Sequence, residues 1–405
     1  MSRIDLFRTF LYGVSATFIA ICFMLFPKEA YEASSRGMTV WWEVVFPSLL
    51  PFFILSDFLI RFGVVSFIGT LFEPLMRPLF RVPGSGGFVW AMGLASGFPS
   101  GAKYTTRLWE EGHITKIEGE RLVSFSNASN PLFIFGAIAV GFFQNAALGL
   151  LLATAHYAGN LIVGLIMRFH GSKLDETTTN QNKSISMKKA IKKMHKDRMK
   201  QHEPLGKMMG DAVQSSIHTL LMIGGFMIFF AVLNQILEMI HFSLVFQFII
   251  SIILNWMEMP KELSPGIIAG LFEITIGSQR ISDVYQASLL QQAVITSFIL
   301  AFNGFSVQAQ VASILAKTNI RFLPFFVARC LHGCISAILT LILFQPLYTD
   351  RILDSTLPAS QQPRNEESLQ AFLVHMYEWL TTYGSTITLV CLSAWIVLSL
   401  TKKLN

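Results

Sequence analysis

Apolar runs close to the roughly 20 residues that a helix needs to cross a hydrocarbon core recur along this chain, and several carry interruptions that an ordinary spanning helix would not tolerate. Runs near 10–26, 42–60, 121–143, 146–168, 214–238, 288–314, 322–347 and 379–400 read as about eight crossings. Only 14% of the residues are charged and 52% are hydrophobic, where a soluble domain carries about 25% charged residues. The expected fold is therefore an all-α polytopic membrane protein. The first run follows Arg3 and Arg8 and ends in Phe26-Pro27-Lys28-Glu29 without a small-residue cleavage site, so a retained span is expected rather than a signal peptide.

Two stretches between the runs are too polar and glycine-rich to cross. Phe88 to Glu110 centres on Gly97-Phe98-Pro99-Ser100-Gly101, and Gly266 to Gln286 centres on Thr275-Ile276-Gly277-Ser278. Phe88 to Ser96 would rise about 14 Å as a helix, roughly half the core thickness, and the chain after Gly101 returns over the same distance. Both stretches read as re-entrant hairpins. Irregular backbone at that depth survives only under a cover of protein or beside a water-filled cavity, so each break points to a site.

The order of span, interfacial segment, hairpin, broken span and final span occurs twice at an offset of roughly 175 residues. The expected organisation is an N-terminal span and outer loop (1–41), a first repeat (42–169), a basic cytoplasmic linker (170–213), a second repeat (214–347), an outer loop (348–378) and a C-terminal span (379–405). Arg3/Arg8, Arg77/Arg81, Lys116/Arg121, the segment Lys173 to Lys207, Lys317/Arg321 and Lys402/Lys403 fall on one side of such a map, which the positive-inside rule makes the cytoplasm. Segment 243–258 is assigned to the outer interface, because counting it as a span would move the later basic residues outside. The two hairpins then enter from opposite faces, which makes the repeats inverted.

The run 121–143 is broken by Ser126-Asn127-Ala128-Ser129-Asn130-Pro131, which reads as a stop and a restart, with Ser129 or Asn130 as cap and Pro131 in the first turn. The matching run 288–314 carries Asn303-Gly304-Phe305-Ser306, a glycine stop and a serine restart, with Gln308 and Gln310 following. The positive ends of such half-helices suit an anionic solute group near the midplane. Lys103, after the first tip, and Glu273, before the second, are charges at depth that need a reason. Arg107 and Arg280 lie close enough to an interface to snorkel, and Asp57 with Arg61 reads as a structural i,i+4 pair. The candidate solute-binding residues are Ser100, Lys103, Ser126, Asn127, Ser129, Asn130, Glu273, Thr275, Ser278, Arg280, Asn303 and Ser306.

Other chemistries lack their signatures. The four cysteines sit inside apolar runs, Cys330 and Cys334 place two sulfurs on one helix face, and neither a disulfide framework nor a zinc site is indicated. No nucleotide-binding loop, metalloprotease motif or serine elbow occurs, so neither an enzyme nor a cofactor is expected. The surplus of six positive charges is confined to a few loops and reports topology, not nucleic-acid binding. The segment with Lys188, Lys189, Lys192, Lys193, Lys196, Arg198 and Lys200 is expected to be a solvated cytoplasmic linker able to rest on anionic lipid, with a regulatory or partner-docking helix as the alternative. The expected partners are a small solute, membrane lipid and a coupling proton or sodium ion; a homo-oligomer is left open.

Ser96-Gly97-Phe98-Pro99-Ser100-Gly101-Ala102-Lys103, the run from Glu120 through Ser126-Asn127-Ala128-Ser129-Asn130-Pro131 to Ile134, and Gly304-Phe305-Ser306-Val307-Gln308-Ala309-Gln310 resemble the sporulation integral membrane proteins of the Gate, or nucleoside-recognition, family. The resemblance implies a distant likeness to concentrative nucleoside transporters, whose hairpins and broken helices enclose the substrate. It implies a carrier for a small anionic aromatic solute such as dipicolinate (pyridine-2,6-dicarboxylate) in the outer forespore membrane, with both termini in the mother-cell cytoplasm. A nucleoside carrier and a non-transporting sporulation scaffold are the alternatives. Asn130 and Asn303 stand where the family commonly has glycine, and the tip at Ile274-Thr275-Ile276-Gly277 differs as well, which bears on solute identity.

The charge map makes a direct prediction. Cysteines placed at Lys188 and Lys317 are expected to be shielded from an impermeant maleimide in intact cells, and one at Glu366 to react. Labelling of position 317 from outside would contradict the map.

Overall fold

A computed structural model describes residues 3–171, 187–199 and 204–351, and every element among them is helical. The chain divides into a unit Met1–Thr349 and a unit Asp350–Asn405, of which only Asp350 and Arg351 are described. The run expected at 379–400 and nearly all of the loop 348–378 lie outside the described residues.

The first run forms α1 (Arg3–Leu25), and the chain bends by 100° into α2 (Pro27–Val40), where Pro27 occupies the first turn. A π-helical stretch, Trp41–Val45, leads into α3 (Phe46–Arg61), which bends by 83° into α4 (Val64–Phe80). Gly63 makes that corner in the left-handed conformation open to glycine (φ 74°). Helix α4 buries Val65, Gly69, Met76 and Phe80 on one face, as an interfacial helix should. Among the described residues four segments, Ala146–Met167, Leu205–Met239, Leu289–Leu315 and Phe322–Thr349, are long and apolar enough to cross a membrane, and counting each bent pair as one span raises the number to six.

Both expected hairpins are present as helix pairs. The first is α5 (Ser85–Ser96) and α6 (Ser100–Glu110), with Gly97 at φ 80° at its tip. The second is α12 (Ser264–Phe272) and α13 (Ile274–Ser282). Its turn falls at Glu273, ahead of the expected centre at Thr275 to Ser278. The Glu273 carboxylate accepts from the Thr275 and Ile276 N–H groups and so starts the helix early.

The broken runs behave alike. Helix α7 (Lys116–Ser126) opens on a capping box of Thr115 and Glu118, stops, and is followed by a π-helix, Leu132–Phe142. Helix α14 (Leu289–Phe302) opens on a capping box of Ser288 and Gln291, stops, and is followed by α15 (Gly304–Leu315). The stop expected of Gly304 is made by Asn303, whose φ of 79° is one asparagine adopts more readily than most residues. Final helices α8 (Ala146–Met167) and α16 (Phe322–Phe344) close the two series.

Helix α9 (Met187–Met199) lies in the linker, and with α10 (Leu205–Met239) and α11 (Phe242–Trp256) in the places of α3 and α4, the same order of elements occurs twice. Corresponding residues also touch. His156 and His332, 176 positions apart, have ring centroids 4.8 Å apart. Asn127 Nδ2 donates to the side-chain oxygen of Asn303 at 3.2 Å, with the Asn303 amide in the orientation that satisfies both of its ends. Each of these two contacts joins residues 176 positions apart, one from each series.

Sidedness follows from one further contact. Arg321, just before α16, donates to the buried Glu120 carboxylate through Nε at 2.7 Å and Nη2 at 2.9 Å, which brings it to the start of α7. If 121–143, 146–168, 214–238 and 288–314 cross, a shared side for Glu120 and Arg321 leaves no room for a fifth crossing at α11. At 15 residues, about 22 Å, α11 is also shorter than the core is thick.

The hairpins pack through close backbone approaches. A Cβ on Gly93 would overlap the Ser126 carbonyl oxygen, and one on Gly277 would overlap Gly270 Cα. Gly277→Ala is expected to destabilise the protein by about 1–3 kcal/mol, the usual cost of overpacking. Gly225→Ala, where a Cβ meets nothing within 4 Å, should leave the melting temperature in detergent unchanged.

Candidate solute-binding site

Both hairpin tips and both helix breaks border a single cavity of about 80 Å³. Gly97 and Phe98 reach it from the first tip, and Glu273, Ile274 and Thr275 from the second. Ser129, Asn130, Leu132 and Phe133 come from the first break, and Ser306, Val307 and Gln310 from the second. Val44, Val45 and Leu49 beside α3, with Ile223 and Met227 of α10, supply an apolar wall. A mainly apolar lining with a few placed polar groups is the usual composition of a small-molecule site.

Each break leaves peptide groups that water cannot reach, and named side chains take them. At the first, Arg329 of α16, fully buried, donates from Nη1 to the Asn127 carbonyl at 3.0 Å and from Nη2 to the Ser124 carbonyl. Its Nη1 also faces His332 Nδ1 at 3.0 Å, and His332 Nε2 lies 2.8 Å from the His156 carbonyl. Neutral His332 with its proton on Nε2 satisfies both contacts. His156 Nε2 accepts the Ser129 N–H at 3.0 Å, and Tyr157 Oη donates to the Ser129 carbonyl at 3.0 Å. Asn130 bridges the break to the first hairpin: its Oδ1 accepts from Phe133 N at 2.7 Å and its Nδ2 donates to the Ser96 carbonyl at 3.3 Å.

At the second break the Asn303 amide donates to the Leu300 and Ala301 carbonyls, both at 3.1 Å, and Gln308 Nε2 donates to the Phe302 carbonyl at 3.1 Å. At the second tip Glu273 Oε2 accepts from Thr275 N at 2.9 Å, Ile276 N at 3.0 Å and Thr275 Oγ1. Glu273 is the only charged residue among those lining the cavity.

Of the residues singled out from the sequence, Ser129, Asn130, Glu273, Thr275 and Ser306 line the cavity. Asn127 and Asn303 lie behind it and join the two breaks. Ser100 folds back on its own hairpin, donating to the Gly97 carbonyl at 2.5 Å. Ser126 and Ser278 are buried without lining the cavity. The two expected cations are elsewhere. Lys103 Nζ is buried 4.9 Å from the centroid of the Phe53 ring, without a hydrogen-bond partner among the described residues. Arg280 makes a two-point ion pair with Glu238, at 2.8 and 3.2 Å. Burial of Lys103 against α3 and the reach of Arg280 to α10 account for both positions.

Gln310, Phe98, Phe133 and the apolar wall were not among the candidates. A wall residue such as Ile223 is indistinguishable in sequence from a lipid-facing one. Arg329 was also missed, although a charge within the apolar run 322–347 was a usable signal.

The Gate family model, described as nucleoside recognition, matches residues 42–173, which take in α3 through α8 with the first hairpin and the first break. Over 403 residues the chain is 49% identical to the sporulation integral membrane protein YlbJ of Bacillus subtilis (strain 168), covering 98% of this chain and 97% of that protein. This chain belongs to that family of sporulation integral membrane proteins. An uncharacterized protein of Alkalihalophilus pseudofirmus (strain ATCC BAA-2126 / JCM 17055 / OF4) is 32% identical over 128 residues, 31% of this chain and 27% of its own length. No solved structure matches. The Gate match ends near residue 173, yet the second half of the cavity is built from residues beyond it.

Arg329 carries the first break, so its removal has a defined cost. Arg329→Met would leave the Ser124 and Asn127 carbonyls buried without this donor, at about 1–3 kcal/mol for each group. Thermal unfolding in detergent should show the loss, with Arg329→Lys recovering part of it.

Proposed function

We propose that this protein is a membrane carrier, not an enzyme, and that its solute occupies the cavity between the hairpin tips. The convergence of two tips and two breaks on one cavity carries the reading, because irregular backbone at depth is favoured only where it serves a protein-lined site. The recurring element order and the contacts between the two series support an inverted repeat, in which either hairpin could uncover the same solute from its own face. The Bacillus subtilis relative, a sporulation integral membrane protein, supports a role in sporulation.

The solute proposed is pyridine-2,6-dicarboxylate, carried across the outer forespore membrane from the mother cell. Phe98 and Phe133 offer faces for a flat ring. The Asn130 amide, Gln310, and the N-terminal ends of the π-helix and of α15 offer donors for carboxylates. A dianion beside an ionised Glu273 would be repelled in low dielectric. Transport of the dicarboxylate therefore entails a proton on Glu273, which makes the proton the coupling ion of this proposal. The uncharged remainder of the lining favours a second reading, a neutral nucleoside, which needs no proton there.

Uptake into reconstituted vesicles, with the dicarboxylate and a nucleoside compared side by side, tests the proposal. The dicarboxylate is expected to move. Asn130→Ala with Ser306→Ala should slow it by about tenfold, the scale of one or two lost hydrogen bonds. Glu273→Gln, which imitates the protonated acid, should keep the uptake and remove its dependence on pH. Movement of the nucleoside alone would overturn the choice of solute, and movement of neither would overturn the carrier.

A further inference from the structure

Each hairpin is joined to the first long helix of its own repeat by one arginine–carboxylate contact. On the first, Arg107 of α6 donates from Nη1 to Asp57 Oδ1 of α3 at 2.6 Å. Asp57 is buried, and its other oxygen accepts from Arg61 Nε at 2.8 Å. Arg61 in turn lies 3.7 Å from Asp211, near the start of α10. On the second, Arg280 of α13 pairs with Glu238, in the last turn of α10, through both of its terminal nitrogens. The arginine comes in each case from the second arm of the hairpin and the carboxylate from near the C-terminal end of the preceding long helix. The two contacts therefore occupy matching places in the two repeats.

Helix α10 fixes where they lie. Asp211 and Glu238 are 27 residues apart on one continuous helix, a rise of about 40 Å against a hydrocarbon core of about 30 Å. The two contacts thus sit toward opposite faces of the membrane, with the cavity between them. They also differ in environment. Asp57 holds two guanidinium groups and is almost wholly buried, whereas the side chains of Arg280 and Glu238 are 34% and 38% exposed. An exposed pair exchanges readily with water, while a buried carboxylate cannot lose its partners so cheaply.

We infer that Arg107–Asp57 and Arg280–Glu238 are paired latches, each holding one hairpin against its long helix, and that release of one exposes the cavity to one face of the membrane. The inference rests on the reading of this cavity as a carrier site, but not on the identity of the solute. Both latches are closed in this structure. The exposed Arg280–Glu238 latch is the weaker, so the resting protein opens more often on its face. The arginine picked out in the sequence as a solute cation has, on this account, a gating role.

Accessibility of a cavity cysteine tests the latches without any solute. Val45→Cys places a thiol on the apolar wall, and an impermeant maleimide is applied to right-side-out and inside-out vesicles, with the chain lacking that cysteine as the baseline. Glu238→Gln is expected to raise labelling by about fivefold from one face only, as a shift in a two-state population would. Arg107→Gln is expected to raise it from the other face only, and serves in place of a change at buried Asp57, which could impair folding. The exchange Glu238→Arg with Arg280→Glu should restore the parental rate. Labelling raised from both faces alike, labelling unchanged in both variants, or an exchange that fails to restore the rate would each overturn the latches. Whether the dicarboxylate is transported is read in a separate assay, so either result can fail without the other.

Discussion

A helix that stops inside an apolar medium leaves carbonyl and N–H groups that nothing outside the protein can satisfy. At the first break that task falls to Arg329, whose guanidinium reaches the Ser124 and Asn127 carbonyls from a helix about 200 residues later in the chain. The contact orders the architecture: it ties the end of α7 to α16 and orients His332, and His332 reaches α8 at the His156 carbonyl. His156 then holds the N–H of Ser129, which borders the cavity. The second break, with Asn303 and Gln308 close at hand, needs no such distant donor. The two halves thus share an element order while solving the same peptide-group problem by different chemistry.

That difference explains what could be read in the sequence. Glycine, proline and clustered polar residues within apolar runs have few causes, so the hairpin at Gly97 and the breaks at Asn127 to Pro131 and at Asn303 were legible. Five of the twelve candidate residues line one cavity for the same reason. The second tip was misplaced by a few residues because the capping of Thr275 and Ile276 by Glu273 weighs more than the flexibility of Gly277, which is used instead for contact with Gly270. Tertiary pairing was not legible. Nothing local to Arg280 shows that Glu238 awaits it, and nothing local to Lys103 shows that it lies by the Phe53 ring. Nor did anything local to His156 show that His332 packs against it.

The distribution of charge separates two kinds of work. Charges near the ends of the long helices pair with each other, as Arg107 does with Asp57 and Arg321 with Glu120, and they fix the position of hairpins and loops. Around the cavity, Glu273 is the single charged group, and three donors already face one of its oxygens. On the proposed carrier reading, selection there would rest on neutral donors, half-helix ends and aromatic faces, with Glu273 as the group that takes up the proton.

The account stands on the cavity being the place where solute binds, and an experimental structure of the protein with pyridine-2,6-dicarboxylate tests this most directly. The account predicts density for the ring between Phe98 and Phe133, with carboxylates near Asn130, Gln310 and the start of α15, and Glu273 within hydrogen-bond distance of the solute. Solute bound away from both hairpin tips, or a cavity filled by lipid while the dicarboxylate is transported, would contradict it.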